Sequence, residues 1–144
     1  MNTKRFPLLV GIVLLVALAF VGVASACGCT PGYWKQEQHF YAWPAPYSRN
    51  EVTSFGDLNG DGAADTPLDA LKYKGGNNID GARRILTRAY VAEILNEAAF
   101  GDDYPANPDD YAYIFWDTFR NGDRKTMLDL ATQLDMWNNA GCPL

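Results

Sequence analysis

The chain has 144 residues, with 17 acidic against 12 basic side chains, one histidine and a net charge of −5. That length supports one domain with one sizeable core. The acidic balance argues against nucleic acid or an anionic membrane surface as a partner.

Lys4 and Arg5 precede an almost wholly apolar run from Phe6 to Val23, and Ala24-Ser25-Ala26 has the small-x-small form of a cleavage site. Residues 1–26 therefore read as a signal peptide, and residues 27–144 as a single exported domain, secreted or held at the cell surface. Two alternatives stay open. The apolar run approaches the ~20 residues that span a bilayer, which would make it an uncleaved anchor, and Cys27 follows small residues as a lipidated cysteine does. The membrane enters only through the leader or such a lipid.

Three cysteines remain: Cys27, Cys29 and Cys142. In an exported protein two of them are expected to pair. Cys29 with Cys142 is the expected disulfide, tying the two ends of the domain together, and Cys27 with Cys142 is the alternative. Cys27-Gly28-Cys29 with one distant Cys and one His is not a zinc spacing.

Thr30-Pro31-Gly32 is turn chemistry. Tyr33, Trp34, Phe40, Tyr41, Trp43 and Tyr47 follow within one short span. Tyr33, Trp34, Tyr41 and Trp43 are candidate ligand-binding aromatics, a platform for sugar rings; equally, such a cluster can pack over a small core and cover its disulfide. His39 has no second histidine or placed nucleophile beside it.

The strongest chemical signal is Asp57-Leu58-Asn59-Gly60-Asp61-Gly62-Ala63-Ala64-Asp65. Side-chain oxygens at loop positions one, three, five and nine, glycine at six and the Ala63 carbonyl at seven meet the demands of Ca2+, a hard cation. The loop resembles those of EF-hands, dockerins and thrombospondin type 3 repeats. Position twelve is Leu68 where an EF-hand has glutamate, with Asp69 one place further on, and there is no second copy. The candidate ligand set is Asp57, Asn59, Asp61, Ala63, Asp65 and Asp69.

Thr66 as cap and Pro67 at the first position start a short helix, which Lys74-Gly75-Gly76-Asn77-Asn78 breaks. From Ile79 or Asp80 to about Phe100, Ala82, Ile85, Leu86, Ala89, Ala92, Leu95 and Ala99 recur at helical spacing. Arg83, Arg84, Arg88, Glu93 and Glu97 are expected on the other sides, and the alanines imply close approach by neighbours. Asn107-Pro108-Asp109-Asp110 opens a further helix through Ile114, Phe115 and Phe119. Asn121-Gly122-Asp123 ends it and caps the last, about Arg124 to Asn139, with Met127, Leu128, Ala131, Leu134 and Trp137 on one stripe. Asp102, Asp103, Asp109 and Asp110 would be the acids of an extracellular hydrolase, but a turn and a helix start account for them, and no nucleophile with a base is visible.

Together, Cys29-Thr30-Pro31-Gly32-Tyr33-Trp34-Lys35, the helix segment Val91 to Ala98, and Asn138-Asn139-Ala140-Gly141-Cys142-Pro143-Leu144 resemble a domain of exported bacterial and archaeal proteins. That domain begins Cys-Thr-Pro-Gly-Tyr-Trp-Lys and ends with a helix running into Asn-Asn-x-Gly-Cys. The resemblance implies an extracellular location and no reaction. Where many members continue with Asn-His-Pro, this chain has Gln36-Glu37-Gln38-His39.

The expected fold is mainly α: a small single domain of three to four helices, with an irregular aromatic N-terminal segment, a calcium loop and a terminus-to-terminus disulfide. The expected function is that of a non-enzymatic surface module stabilised by calcium and the disulfide, which binds or assembles with an extracellular protein or glycan. A carbohydrate-binding module and, more remotely, a hydrolase are the alternatives.

Overall fold

A computed structural model describes residues 26–106 and 108–144. The expected leader up to residue 25 and the Asn107 cap lie outside the described residues. Among the described residues five α-helices follow one another: α1 (Pro31–Trp34), α2 (Pro67–Lys72), α3 (Ile79–Phe100), α4 (Pro108–Asn121) and α5 (Arg124–Asn138). Short 3-10 helices span Glu37–Ala42 and Gly101–Asp103. The fold is the small, mainly helical domain that the sequence implies, and the segment expected to be irregular holds α1 and the first 3-10 helix.

α3 is the axis. The Asn78 side chain accepts the Gly81 amide at its start, satisfying one of the donors a helix leaves open there. One side of α3 (Ala82, Leu86, Ala89, Tyr90) packs on Phe115 of α4 and on Met127, Leu130, Ala131 and Leu134 of α5. The opposite side (Val91, Ala92, Leu95) packs on Ala70 and Leu71 of α2, Tyr73, Cys29 and Trp34 of α1. Alanine at 82, 89 and 92 lets both layers come close, as the sequence implies.

Three details differ from the periodic reading. Leu130, outside the expected α5 stripe, is buried, while Leu128 and Trp137 lie at its margin. Ile114 is exposed, because Phe115 and Phe119 share one face of α4 and Ile114 falls about 100° from it. Glu93, expected on the solvent side of α3, is fully buried. The arginines do the opposite of facing idle solvent: Arg83 donates to the Phe119 carbonyl (3.3 Å), Arg84 to those of Lys74 (3.0 Å) and Leu58 (3.2 Å), and Arg88 to that of Tyr73 (3.2 Å). They tie the long 57–75 connection and the end of α4 to the central helix.

The ends of the domain meet beside α5. The Cys27 amide donates to Asp103 O (3.0 Å), and Gly28 pairs with Gly141 in an isolated antiparallel bridge. Gly28 is required here by close approach, since a Cβ would stand 2.1 Å from the Trp137 carbonyl oxygen. Cys29 and Cys142 form the disulfide, with Cα atoms 4.5 Å apart across 113 positions. Closing a loop of that size is worth about 4–5 kcal/mol in the chain-entropy model. Among the described residues no helix is long and apolar enough to cross a membrane.

Candidate functional site

The 57–65 loop is built on its own carboxylates. Asp57 accepts the amides of Gly60 (2.6 Å), Asp61 (3.2 Å) and Gly62 (2.9 Å); Asn59 Oδ1 accepts that of Asp61 (2.8 Å), and Asp61 that of Ala63 (2.9 Å). Gly62, at position six, turns with φ +90°, a conformation that L side chains adopt only with strain. Asp57, Asn59 and Asp61 are exposed.

Asp65 is different. It is 1 % exposed and its carboxylate faces inward, accepting Leu58 N (2.6 Å), Asn59 N (3.2 Å) and the Tyr73 hydroxyl (2.6 Å), with Asn59 Nδ2 on its other oxygen (2.6 Å). Burial, and then the bond to Asp65, pushes the Tyr73 phenol well above its ordinary range. The Asp65 carbonyl takes both the amide and the hydroxyl of Thr53. Position nine is thus the nail that fixes the loop to the second core cluster.

The six expected ligands do not all converge. Asn59 Nδ2 bridges Asp61 (3.0 Å) and Asp65, holding two carboxylates with one amide. Asp69 turns to Thr66, whose amide (3.0 Å) and hydroxyl (2.6 Å) it accepts while Thr66 Oγ1 accepts the Asp69 amide, a capping box at the start of α2. The Thr66 hydroxyl is the main cause that holds the Asp69 carboxyl below its ordinary value. Asn59 and Asp69 still line one open cleft of about 390 Å³, with Lys72, Lys74 and Arg84. Among the described residues no group of three or more His, Cys, Asp or Glu is gathered around one point. The outward set is Asp57, Asn59 and Asp61, whose oxygens keep acceptor capacity beyond the amides they already hold.

The aromatic candidates separate as well. Trp34 is fully buried and Tyr33 and Trp43 are half-buried. Tyr33 stacks on His39 (3.8 Å between centroids) and meets Trp34 edge-on; Trp43 Nε1 donates to the Trp34 carbonyl (3.0 Å). Arg49 sits over Phe40 at 4.4 Å. Only Tyr41, 80 % exposed, presents itself to solvent. The cluster covers the disulfide end of the core, as one of the two sequence readings has it. Of the proposed hydrolase acids, Asp102 and Asp103 are exposed; the side chains of Asp109 and Asp110 lie outside the described residues.

Two further groups carry no assigned role in the sequence reading. Asn96, fully buried on α3, accepts Cys29 N (2.8 Å) and Trp34 Nε1 (3.1 Å) on Oδ1 and donates to Cys29 O (2.8 Å) and Asn138 Oδ1 (2.8 Å). Asn138 in turn accepts Tyr104 OH (2.9 Å) and donates to Ala89 O (3.0 Å). This network joins the opening segment, the central helix and the closing helix, and explains chemically why Trp34 and Asn138 stand beside the two bridged cysteines. Glu93, three residues earlier on α3, has the reverse environment: it is 0 % exposed and neither carboxylate oxygen has a hydrogen-bond partner. Burial, helped by the charge of Glu97, pushes its carboxyl up to about 8. Its negative charge in turn helps push the phenols of Tyr47, Tyr90 and Tyr104 up, after burial.

No family model matches this chain, and no curated protein or solved structure is significantly similar to it.

Proposed function

We propose that the domain is a non-enzymatic exported or cell-surface module, held shut by its disulfide and by calcium in the 57–65 loop, that binds or assembles with an extracellular protein or glycan. The observation that carries this reading is the Asp65–Tyr73 bond: it couples an exposed oxygen-rich loop to the buried core, so that an ion in the loop adds to the stability of the whole domain. Asp57, Asn59, Asp61 and the Ala63 carbonyl are the residues that would hold the ion, with Asp65 behind them. Calcium there supplies the positive charge that Asn59's amide hydrogens now offer to Asp61 and Asp65. Asp69 belongs to the cap of α2. Absence of the glutamate at position twelve fits a weak site suited to millimolar extracellular calcium. The glycan-binding alternative rests on Tyr41, a single outward ring, and is the weaker of the two.

The test is thermal melting in millimolar calcium and in chelator. Calcium should raise the midpoint by about 4 °C for each kcal/mol of linkage at this size, and Asp61→Ala should abolish the rise while leaving the chelated melt little changed. Equal midpoints with and without calcium would defeat the reading.

A further inference from the structure

The open cleft of about 390 Å³ beside the 57–65 loop is walled by the end of α2, the strap that follows it and α3, and three cations line it: Lys72, Lys74 and Arg84. We propose that this cleft binds a sugar acid, with the carboxylate of one uronic residue among the three cations and its ring hydroxyls beside Asp69. It would be the glycan site of the surface module and rests on that reading of the domain, though not on calcium.

Three observations support it. First, the cations are not neutralised by the protein, although the chain as a whole is acidic. Among the described residues the ion pairs are Arg83–Asp80 and Lys125–Asp129, so no carboxylate is paired with Lys72, Lys74 or Arg84. Lys72 only adds to the lowering of the Asp69 carboxyl that Thr66 mainly causes. Three like charges on one cleft repel one another, and an anion seated between them removes that cost. Second, the wall is already built. Arg84 Nε and Nη1 donate to the carbonyls of Lys74 (3.0 Å) and Leu58 (3.2 Å), Arg88 donates to that of Tyr73 (3.2 Å), and the Tyr73 hydroxyl is held by Asp65 (2.6 Å). A Cβ at Gly81 would stand 2.5 Å from the backbone of Gly76, so the strap lies directly on α3. These bonds fix the Arg84 guanidinium and engage two of its N–H groups, which leaves donors in the planar fork that suits a carboxylate. Third, the cleft sets an acceptor beside its donors. Asp69 is the one acid of the lining, and both of its carboxylate bonds to Thr66 fall on Oδ2, so Oδ1 can accept. A second carboxylate would be repelled there, whereas a hydroxyl donates to it. A single negative charge next to hydroxyls is the chemistry of a uronic acid; an acidic peptide brings the charge without the hydroxyls.

Titration of the calcium-free, disulfide-bonded, 15N-labelled protein with methyl galacturonoside at constant ionic strength, followed by amide chemical shifts, tests it. The methyl ester of the same sugar is the neutral isostere, and N-acetylglutamate amide presents one carboxylate as an acidic peptide does, without ring hydroxyls. Saturable millimolar binding of the sugar acid is expected, with the shifts concentrated at residues 72–76 and 84. The ester should not saturate, and the amino-acid derivative should bind at least about fivefold more weakly. Lys72 and Lys74 are exposed, so their glutamine variants should fold; each of Lys72→Gln and Lys74→Gln should weaken binding about two- to threefold, and the double variant about fivefold or more. Lys125→Gln, in the exposed pair with Asp129 on α5, should leave the affinity unchanged. No saturable shifts with the sugar acid, equal binding of the ester, equal or tighter binding of the amino-acid derivative, or an equal loss in Lys125→Gln would each overturn the proposal. Because calcium is absent throughout, failure of the calcium melt leaves these shifts in place, and failure of the shifts leaves the calcium melt in place.

Discussion

Asn96 and Glu93 sit less than one turn apart on the same helix, both buried, and they teach opposite lessons about polar groups inside a protein. Asn96 makes four hydrogen bonds to three residues, Cys29, Trp34 and Asn138, at the two ends of the domain; Glu93 makes none. A neutral amide with both its lone pairs and both its hydrogens engaged fixes the register of the chain ends against α3, at little net cost. A carboxyl without partners fixes nothing. It subtracts stability whenever it ionises.

The largest expected effect breaks the Glu93 side. Its carboxyl is raised in the folded state, so the folded protein holds a proton that the unfolded chain gives up near the usual glutamate value. Stability is therefore full below about pH 4.5 and is lost as the pH rises through about 8, on the order of 5 kcal/mol across that window. Chemical denaturation from pH 5 to 9 should show the decline in the wild type and a much flatter curve in Glu93→Gln, which becomes the more stable protein at pH 8.5. Asp135, also raised by burial, declines in the same sense in both proteins, so only their difference bears on Glu93. Parallel curves would mean that water or a cation already reaches the carboxyl.

Much of this contrast was open to a reading of register. Ile79, Leu86, Glu93 and Phe100 repeat every seven residues on α3, as do Ala82, Ala89 and Asn96, so both polar residues fall on core stripes. Charge misled where spacing did not: a glutamate between alanine and isoleucine looks like part of a solvated face. The helices from α2 onward were legible, because a cap, a proline or an apolar period marks each of them, whereas α1 stands where Thr30-Pro31-Gly32 reads as a turn. The disulfide partner of Cys142 was legible only as one of two pairings, and it took the fit of Gly28 under the Trp137 carbonyl to see why Cys29 stands opposite. For the loop, the sequence shows which residues carry oxygen but not where they point. The inward turn of Asp65 depends on Tyr73, eight residues on, and that of Asp69 on Thr66, whose role as a helix cap competes with any ligand role.

The smaller effects sharpen the Asn96 side. Asn96→Ala leaves Cys29 N, Cys29 O, Trp34 Nε1 and one lone pair of Asn138 without partners in a dry interior, which should cost about 3 kcal/mol or more even with the disulfide intact. Trp34→Phe removes one donor, and Cys29 N still occupies the same oxygen at 2.8 Å, so it should cost only about 1 kcal/mol. The ratio is the informative quantity. If the two variants cost the same in urea denaturation, the indole ring holds the clasp by its packing over the disulfide, and the amide network is incidental. A cost at Asn96 several times that at Trp34 makes the amide the element that locks both chain ends to α3, with the disulfide as the covalent seal on a geometry the hydrogen bonds have already set.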